Sequence, residues 1–227
     1  MKKIIALSLI GLFFMSCSKD DSNSSTPLTS TPDAKAEFDT SNYGIYKGVF
    51  VGSSGIVTIN INNAGTISAT LVIDGTSYTY TTTEAVTAGS TISNLTFTNG
   101  SSSFDFNVSG NGGFPEITNV NIVGHPNATI ELIKEYSDAI AKCYEGTYTG
   151  DASGVFNLII SDGYVHGLAR DTGDTEAIGL QGGLSGNTIT GSFEGGTFTG
   201  TVNGNSVSGT YLNEVPESGN WSGHRSL

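Results

Sequence analysis

The sequence predicts an all-β fold, in which two tandem antiparallel β-meander or small barrel-like domains follow one another. From residue 43 on, the chain is rich in Gly, Thr, Ser, Val and Ile. Turn residues recur about every nine to twelve positions, a spacing typical of β-sandwiches and barrels. Apolar residues with the 3.6-residue period of a helix are almost absent from this part of the chain. The mature protein is therefore expected to consist of strands joined by short turns.

An internal repeat indicates two domains. The segment Tyr43–Gly48, followed by Gly55-Ile56-Val57, resembles Cys143–Gly150, followed by Gly154-Val155-Phe156. Each copy opens a half with about eight candidate strands. We expect one domain over residues 43–135 and a second over 143–227. One continuous sheet or a single large barrel is the alternative arrangement.

One short helix is predicted between the two domains. In the stretch from Glu131 to Lys142, the residues Ile133, Tyr136 and Ile140 could line one side of a helix. Residues 136–142 are then a helical linker.

The clearest strand pattern lies near the C-terminus. Three segments share the order apolar, hydroxyl, Gly, hydroxyl, apolar: Ile189–Phe193, Phe198–Val202 and Val207–Tyr211. Alternation places the apolar residues and the glycine on one face and Ser or Thr on the other. Glu194-Gly195-Gly196 and Asn203-Gly204-Asn205 between them are typical hairpin turns. The nine-residue period also fits a β-helix, although these turns favour the antiparallel meander.

The glycines in the middle of these strands predict the shape of the sheet. A glycine on the buried face removes a side chain where a sheet must bend. We therefore expect a tightly curled sheet with a thin core, and not a wide barrel around a ligand.

The first residues have the layout of a secretory signal peptide over positions 1–16. Lys2 and Lys3 precede the apolar run Ile4–Met15, which is too short for the ~20 residues that span a bilayer. The segment Phe14-Met15-Ser16-Cys17 resembles the lipobox of bacterial lipoproteins. That resemblance implies acylation of Cys17 and anchoring to a membrane by lipid. An ordinary signal peptide followed by an unrelated cysteine is the alternative.

The residues after Cys17 indicate a position outside the cell. Ser18-Lys19-Asp20-Asp21-Ser22 resembles the acidic stretch of surface-exposed lipoproteins of the Bacteroidota, which implies the outer membrane and its external face. The same residues could simply begin a solvated linker. Residues 17–42 are polar and contain Pro27 and Pro32, so we expect a lipidated, disordered tether.

The charge excludes some partners. Without Lys2 and Lys3, the chain has 7 Lys and Arg against 21 Asp and Glu, a net charge of −14. Nucleic acid and anionic lipid are both bound through basic patches, so neither is expected to bind by charge.

The second half also resembles a known class of barrels. Residues 146–150 (Gly-Thr-Tyr-Thr-Gly) and 221–225 (Trp-Ser-Gly-His-Arg) are loosely similar to the first and last strands of calycins such as lipocalins and avidins. In that family an aromatic and a basic residue pack across one barrel end, with Tyr148 here in place of the usual Trp. The resemblance implies a barrel that could carry a small ligand.

No catalytic motif is found, and no cofactor is expected. The histidines at 125, 166 and 224 lack metal-ligand spacing, and we interpret them as surface or turn residues. With Cys17 acylated, Cys143 cannot form an intramolecular disulfide, and we expect it to be a buried small apolar residue. Asp171, Asp174 and Glu176 share one loop and are the candidate Ca²⁺ ligands. A polar hairpin loop is the simpler interpretation of that loop.

These observations predict a non-enzymatic, lipid-anchored binding or structural module of the cell envelope. Its partner would be an envelope protein, a host protein or a glycan. Five aromatic residues, some of them core, were candidates for such a surface: Tyr78, Tyr80, Phe97, Phe104 and Phe106. A calycin-like small-ligand carrier is the first alternative, and a secreted glycan-active hydrolase is the second.

Overall fold

The computed structural model describes residues 28–215 and 217–227. Its regular structure is almost entirely β, apart from one 3₁₀ turn at Ala36–Phe38. The strands form two separate antiparallel sheets of eight strands each. The prediction of two tandem β domains is confirmed, and the single continuous sheet is excluded.

The first sheet takes up the first half of the chain. Its strands are β1 (Gly44–Val51), β2 (Ser54–Ile61), β3 (Ile67–Ile73), β4 (Thr76–Thr81), β5 (Ile92–Asn99), β6 (Ser102–Val108), β7 (Glu116–Asn121) and β8 (Thr129–Lys134). The spatial order is β7-β6-β5-β4-β3-β2-β1-β8, a meander in which the last strand returns to the first. The buried side chains of Tyr46, Phe97, Phe104 and Phe106 fill its interior.

The second sheet closes on itself. Its strands are β9 (Lys142–Gly150), β10 (Gly154–Ser161), β11 (Tyr164–Asp171), β12 (Ile178–Ser185), β13 (Thr188–Phe193), β14 (Gly196–Asn203), β15 (Ser206–Asn213) and β16 (Ser218–Arg225). Because β9 pairs with both β10 and β16, all eight strands form a closed barrel. We call β9–β16 the second barrel.

The predicted strands near the C-terminus are confirmed, together with their faces. The three template segments lie in β13, β14 and β15, joined by hairpins with Gly195 and Gly204 at positive φ. In β14 the residues Phe198, Gly200 and Val202 face inward while the threonines between them are exposed. The antiparallel pairing excludes the β-helix.

The helix predicted from Glu131 to Lys142 is wrong. Residues 129–134 form β8, in which Ile130, Leu132 and Lys134 are the buried positions. These residues follow a period of two, and β1 offers the backbone groups with which β8 pairs. Residues 136–141 make a turn with one isolated bridge between Tyr136 and Ala139.

Part of the predicted disordered tether, residues 28–42, is ordered in the structure. Residues 28–42 are placed in the structure, and several of them pack on the folded body. The fully buried Asn42 donates to the carbonyl oxygen of Thr87, and its Oδ1 accepts from Gly89 N–H. Asp33 pairs with the buried ammonium of Lys47 at 2.8 Å. These polar residues stay ordered because the body supplies partners for them, which composition could not show.

The two sheets are in contact with each other. Val49 and Ile56 of the first sheet pack with Cys143 and Ile159 of the second barrel. Asn157 Nδ2 donates to the carbonyl oxygen of Phe50 at 2.7 Å across this boundary. The boundary therefore contains both apolar and hydrogen-bonded contacts.

Candidate functional site

The strand order of the second barrel brings four connections to the same end. They are residues 151–153, 172–177 and 194–195, and the connection between β15 and β16. The three hairpin turns at the opposite end are 162–163, 186–187 and 204–205. We call the end with the four connections the mouth. A cavity of about 380 Å³ opens there.

Six aromatic side chains line the cavity. They are Tyr148, Phe156, Phe193, Phe198, Tyr211 and Trp221. The rings meet edge to face: Phe156 and Trp221 have centroids 5.3 Å apart, and Tyr148 and Tyr211 are 5.7 Å apart. Edge-to-face packing is favourable for such rings and leaves little freedom to collapse into the space beside them. The cavity is thus walled by fixed, apolar surfaces.

Glycines on the neighbouring strands make room for these rings. A methyl group added at Gly200 or Gly209 would overlap with the indole of Trp221. One added at Gly146 would overlap with Phe156, and one at Gly191 with Phe198. The sheet is tightly curled, since it closes into an eight-stranded barrel, but the expected thin core does not account for the cavity at its mouth. The glycines lie where aromatic rings approach the backbone, and these rings line the cavity.

Carboxylates surround the opening. Asp171, Glu194, Glu214 and Glu217 line the cavity, and no Lys or Arg is among the described residues that do so. The Tyr148 hydroxyl donates to Asp171 Oδ1. Burial, followed by this hydrogen bond and the charge of Asp171, raises the pKa of Tyr148 well above its usual value. Tyr148 therefore remains a neutral hydrogen-bond donor at physiological pH.

The candidate Ca²⁺ ligands share a loop at the mouth, but Asp171 and Asp174 bond to different partners. Asp171 faces the cavity and is bonded to Tyr148, whereas Asp174 Oδ1 accepts from the backbone N–H groups of Thr175 and Glu176 at 2.6 and 3.1 Å. Those bonds lower the pKa of Asp174 and form the turn itself. Within residues 28–215 and 217–227, no group of three or more His, Cys, Asp or Glu side chains could hold a metal ion. The geometry matches the hairpin-loop interpretation.

The three histidines lie in different places. His125 lies in the turn after β7, with Nδ1 2.6 Å from Ser53 Oγ. His166 on β11 is half-buried, and its Nδ1 lies 4.0 Å from Glu131 Oε1 in a polar groove beside the second barrel. His224 is on β16. Burial raises the pKa of Glu131 and lowers that of His166, so it favours the uncharged form of each. At 4.0 Å they are beyond hydrogen-bonding distance.

Of the two cysteines, the structure describes only Cys143. Cys143 is fully buried at the boundary between the sheets, as expected for a small apolar residue. Burial raises the pKa of its thiol to about 12, so it is not an activated nucleophile. Cys17, the predicted lipidation site, and the signal peptide lie outside the described residues.

The segments that resemble calycins are neighbours in the barrel. Tyr148 on β9 pairs directly with Trp221 on β16, and both line the cavity. Arg225 is paired with Tyr144 at the other end of these strands. Its guanidinium donates to the carbonyl oxygens of Leu227 and Thr29, at 2.7 and 2.6 Å. The basic residue therefore contributes nothing to the mouth.

The fold and site define a class: an eight-stranded antiparallel barrel with an aromatic cavity at one end, attached to a second eight-stranded sheet. No protein-family model matches the chain. A search of curated proteins likewise found no match. In the part of the chain that the structure describes, no helix is long and apolar enough to cross a membrane.

Proposed function

We propose that the protein is a ligand-binding protein of the cell envelope, whose second barrel takes up a small apolar molecule. The observation that carries this proposal is the cavity of about 380 Å³ walled by six aromatic side chains. Small-molecule sites are concave and mostly apolar, with volumes of roughly 300–1,000 Å³. The cavity fits this description at the small end.

Binding, and not catalysis, is the activity that the cavity supports. Its polar side chains are the rim carboxylates, the Asn213 amide and the hydroxyls of Tyr148 and Tyr211. Tyr148 donates to Asp171, Asn213 to Glu217 and Tyr211 to the carbonyl oxygen of Ala152. A hydrolytic site needs a nucleophile or a carboxylate pair held around a reacting bond. No Ser, Thr, Cys or His is among the described residues that line the cavity, so binding is the activity that we propose.

A large aromatic surface for a protein or glycan partner receives less support. Of the five aromatic residues considered for it, Tyr80, Phe97, Phe104 and Phe106 are buried in the first sheet. Tyr78 is 41 % exposed and stands alone among them. The small-ligand carrier is therefore the better-supported form of a binding module.

The first residues support a proposal for the location of the protein. We infer an outer-membrane lipoprotein anchored through Cys17 and facing the exterior, on the basis of the lipobox-like segment and the acidic stretch after it. Protease treatment of intact cells tests this: the chain should be cut, while a periplasmic control protein is spared. A chain left intact would assign it to the periplasmic face.

Uptake of an uncharged apolar probe tests the binding function. The mature chain, residues 17–227, would carry Cys17→Ser so that no lipid is attached. We expect N-phenyl-1-naphthylamine to bind saturably at one site, with energy transfer from Trp221, which is the one tryptophan of the sequence.

Two variants make this experiment specific. Ala152→Phe and Ile178→Phe each place a large side chain in the cavity from a different wall and leave Trp221 as the one tryptophan, and each should abolish uptake. Asn187→Phe adds the same bulk at an exposed turn of the opposite end and should change nothing. Binding that survives both filling variants, or no saturable binding to the parent chain, would overturn the proposal.

A further inference from the structure

The charges of the second barrel are concentrated at the mouth. Seven carboxylates lie on its four connections and adjoining strand ends: Asp151, Asp171, Asp174, Glu176, Glu194, Glu214 and Glu217. Those connections contain no Lys or Arg. At the opposite end, the three hairpin turns contain a single carboxylate, Asp162. The negative potential is thus strongest where a ligand would enter.

These charges are not neutralised within the described protein. Their hydrogen-bond donors are uncharged groups, such as the Tyr148 hydroxyl for Asp171 and the Asn213 amide for Glu217. The ion pairs found in residues 28–215 and 217–227 all lie away from the mouth. Arg170, next to Asp171 in the chain, is buried and donates to the carbonyl oxygen of Asn127 instead. The four cavity-lining carboxylates therefore have no ion-pair partner among the described residues.

The aromatic residues of the cavity wall also favour a positively charged ligand. The faces of Trp, Tyr and Phe rings carry negative potential and attract cations within about 6 Å, with Trp the strongest. Trp221 is packed between Phe156 and Phe198, at centroid distances of 5.3 and 6.2 Å. Its indole N–H already donates to the carbonyl oxygen of Thr210. The indole N–H is therefore already used within the barrel, and the ring contributes apolar surface to the cavity wall.

We propose that the cavity selects organic cations with an apolar body, such as arylalkylammonium or alkylammonium compounds, over uncharged and anionic molecules of the same shape. This inference rests on the proposed small-ligand function and specifies its ligand class. The apolar body would occupy the aromatic space, and the ammonium would lie between the rings and the rim carboxylates. A carboxylate ligand would meet charges of its own sign at the opening.

Three probes of matched size test the selectivity. They are 2-phenylethylammonium, 2-phenylethanol and phenylacetate, each titrated into the Cys17→Ser mature chain at neutral pH and low salt. Trp221 fluorescence reports occupancy directly, because the residue lines the cavity. We expect the cation to bind about tenfold or more tightly than the alcohol, and the anion more weakly than both. Raising the salt concentration should reduce the preference for the cation.

Substitutions at the rim separate charge from shape. Glu194→Gln combined with Glu214→Gln should weaken binding of the cation several-fold and leave that of the alcohol unchanged. Asp162→Asn removes one charge from the opposite end and should alter neither. Equal affinities for cation and alcohol, or tightest binding of the anion, would overturn the cation selectivity while leaving the binding function intact. If none of the three probes binds and N-phenyl-1-naphthylamine also fails, both proposals fall together.

Discussion

The carboxylate of Glu135 is completely buried and accepts hydrogen bonds from three different segments. Oε1 accepts from Lys47 Nζ at 2.8 Å and from Ala141 N–H at 3.0 Å. Oε2 accepts from the N–H groups of Asp33 and Ala34, at 2.8 and 3.3 Å. One side chain thus joins the N-terminal segment and β1 to the turn between the sheets.

Neutralising Glu135 should destabilise the whole fold. In Glu135→Gln the side chain keeps its shape, but the ammonium of Lys47, which is 0 % exposed, loses its buried counter-charge. Breaking a buried pair in this way costs about 3–5 kcal/mol. The measurement is the free energy of unfolding in urea, on the Cys17→Ser mature chain.

Asp33→Asn is the matched control for this prediction. Asp33 pairs with the same ammonium, but its side chain is 51 % exposed, so we expect a loss of about 0.2–1 kcal/mol. Lys47→Met combined with Glu135→Gln removes both buried charges and keeps an amide oxygen as acceptor for Ala141 N–H, so it should recover part of the stability. Equal losses of unfolding free energy from Glu135→Gln and Asp33→Asn would show that burial of the Glu135 charge does not determine its contribution to stability.

The strands of the second barrel pair large aromatic residues with glycines. Gly200 on β14 and Gly209 on β15 are cross-strand neighbours, and both lie beneath Trp221 of β16. A glycine inside a strand ordinarily weakens it, because it has no side chain to pack. Here the loss is offset by the burial of an indole ring against the exposed backbone.

Adding a side chain at Gly200 should therefore force the indole out of place. Gly200→Val is expected to cost about 1–3 kcal/mol through overpacking, and to shift Trp221 fluorescence toward that of a more exposed indole. Both changes are measured in a single urea titration that follows this fluorescence. Gly179→Val on β12 is the control, since an added Cβ at that position meets nothing within 4 Å. If both variants lose the same unfolding free energy and show the same Trp221 fluorescence, the glycine–indole contact does not stabilise the barrel.

The two sheets form one body through the boundary around Cys143. Its Sγ lies 3.6 Å from the carbonyl oxygen of Gly48, so it touches both sheets. Burial raises the pKa of this thiol from its ordinary 9.0 to about 12. The folded protein therefore holds the thiol proton more tightly than the unfolded chain does.

This difference makes stability depend on alkaline pH. The contribution of the neutral thiol is complete below pH 9 and is lost as the pH rises from about 9 toward 12. We expect the unfolding free energy of the parent chain, relative to Cys143→Ala, to fall over that range by at most about 1.4 kcal/mol per pH unit. Urea unfolding of both proteins at pH 8, 9 and 10 measures the change. A difference in unfolding free energy that stays constant with pH would mean that burial at the boundary does not raise the pKa of the thiol.

Local patterns in the sequence determined the elements of this fold. Period-two alternation and Gly or Asn turns specify β13, β14 and β15 with their inward faces, because both act between residues a few positions apart. The same alternation was present in β8, but the apolar residues at 133, 136 and 140 also fitted a helix. Pairing with the edge of β1 decided in favour of the strand.

The tertiary structure alone decided the site. The six aromatic residues of the cavity come from six different strands, and the rim carboxylates lie on strand ends and connections far apart in the chain. Only closure of the barrel between β9 and β16 brings them to one end. The sequence also did not predict that residues 28–42 are ordered, because their ordering depends on the remote partners Lys47 and Glu135. The sequence by itself determined most of the strands, because strand and turn preferences are local, whereas β8 needed its pairing with β1. Closure, the cavity and the ordered N-terminal segment depend on contacts between distant residues, which the fold alone creates.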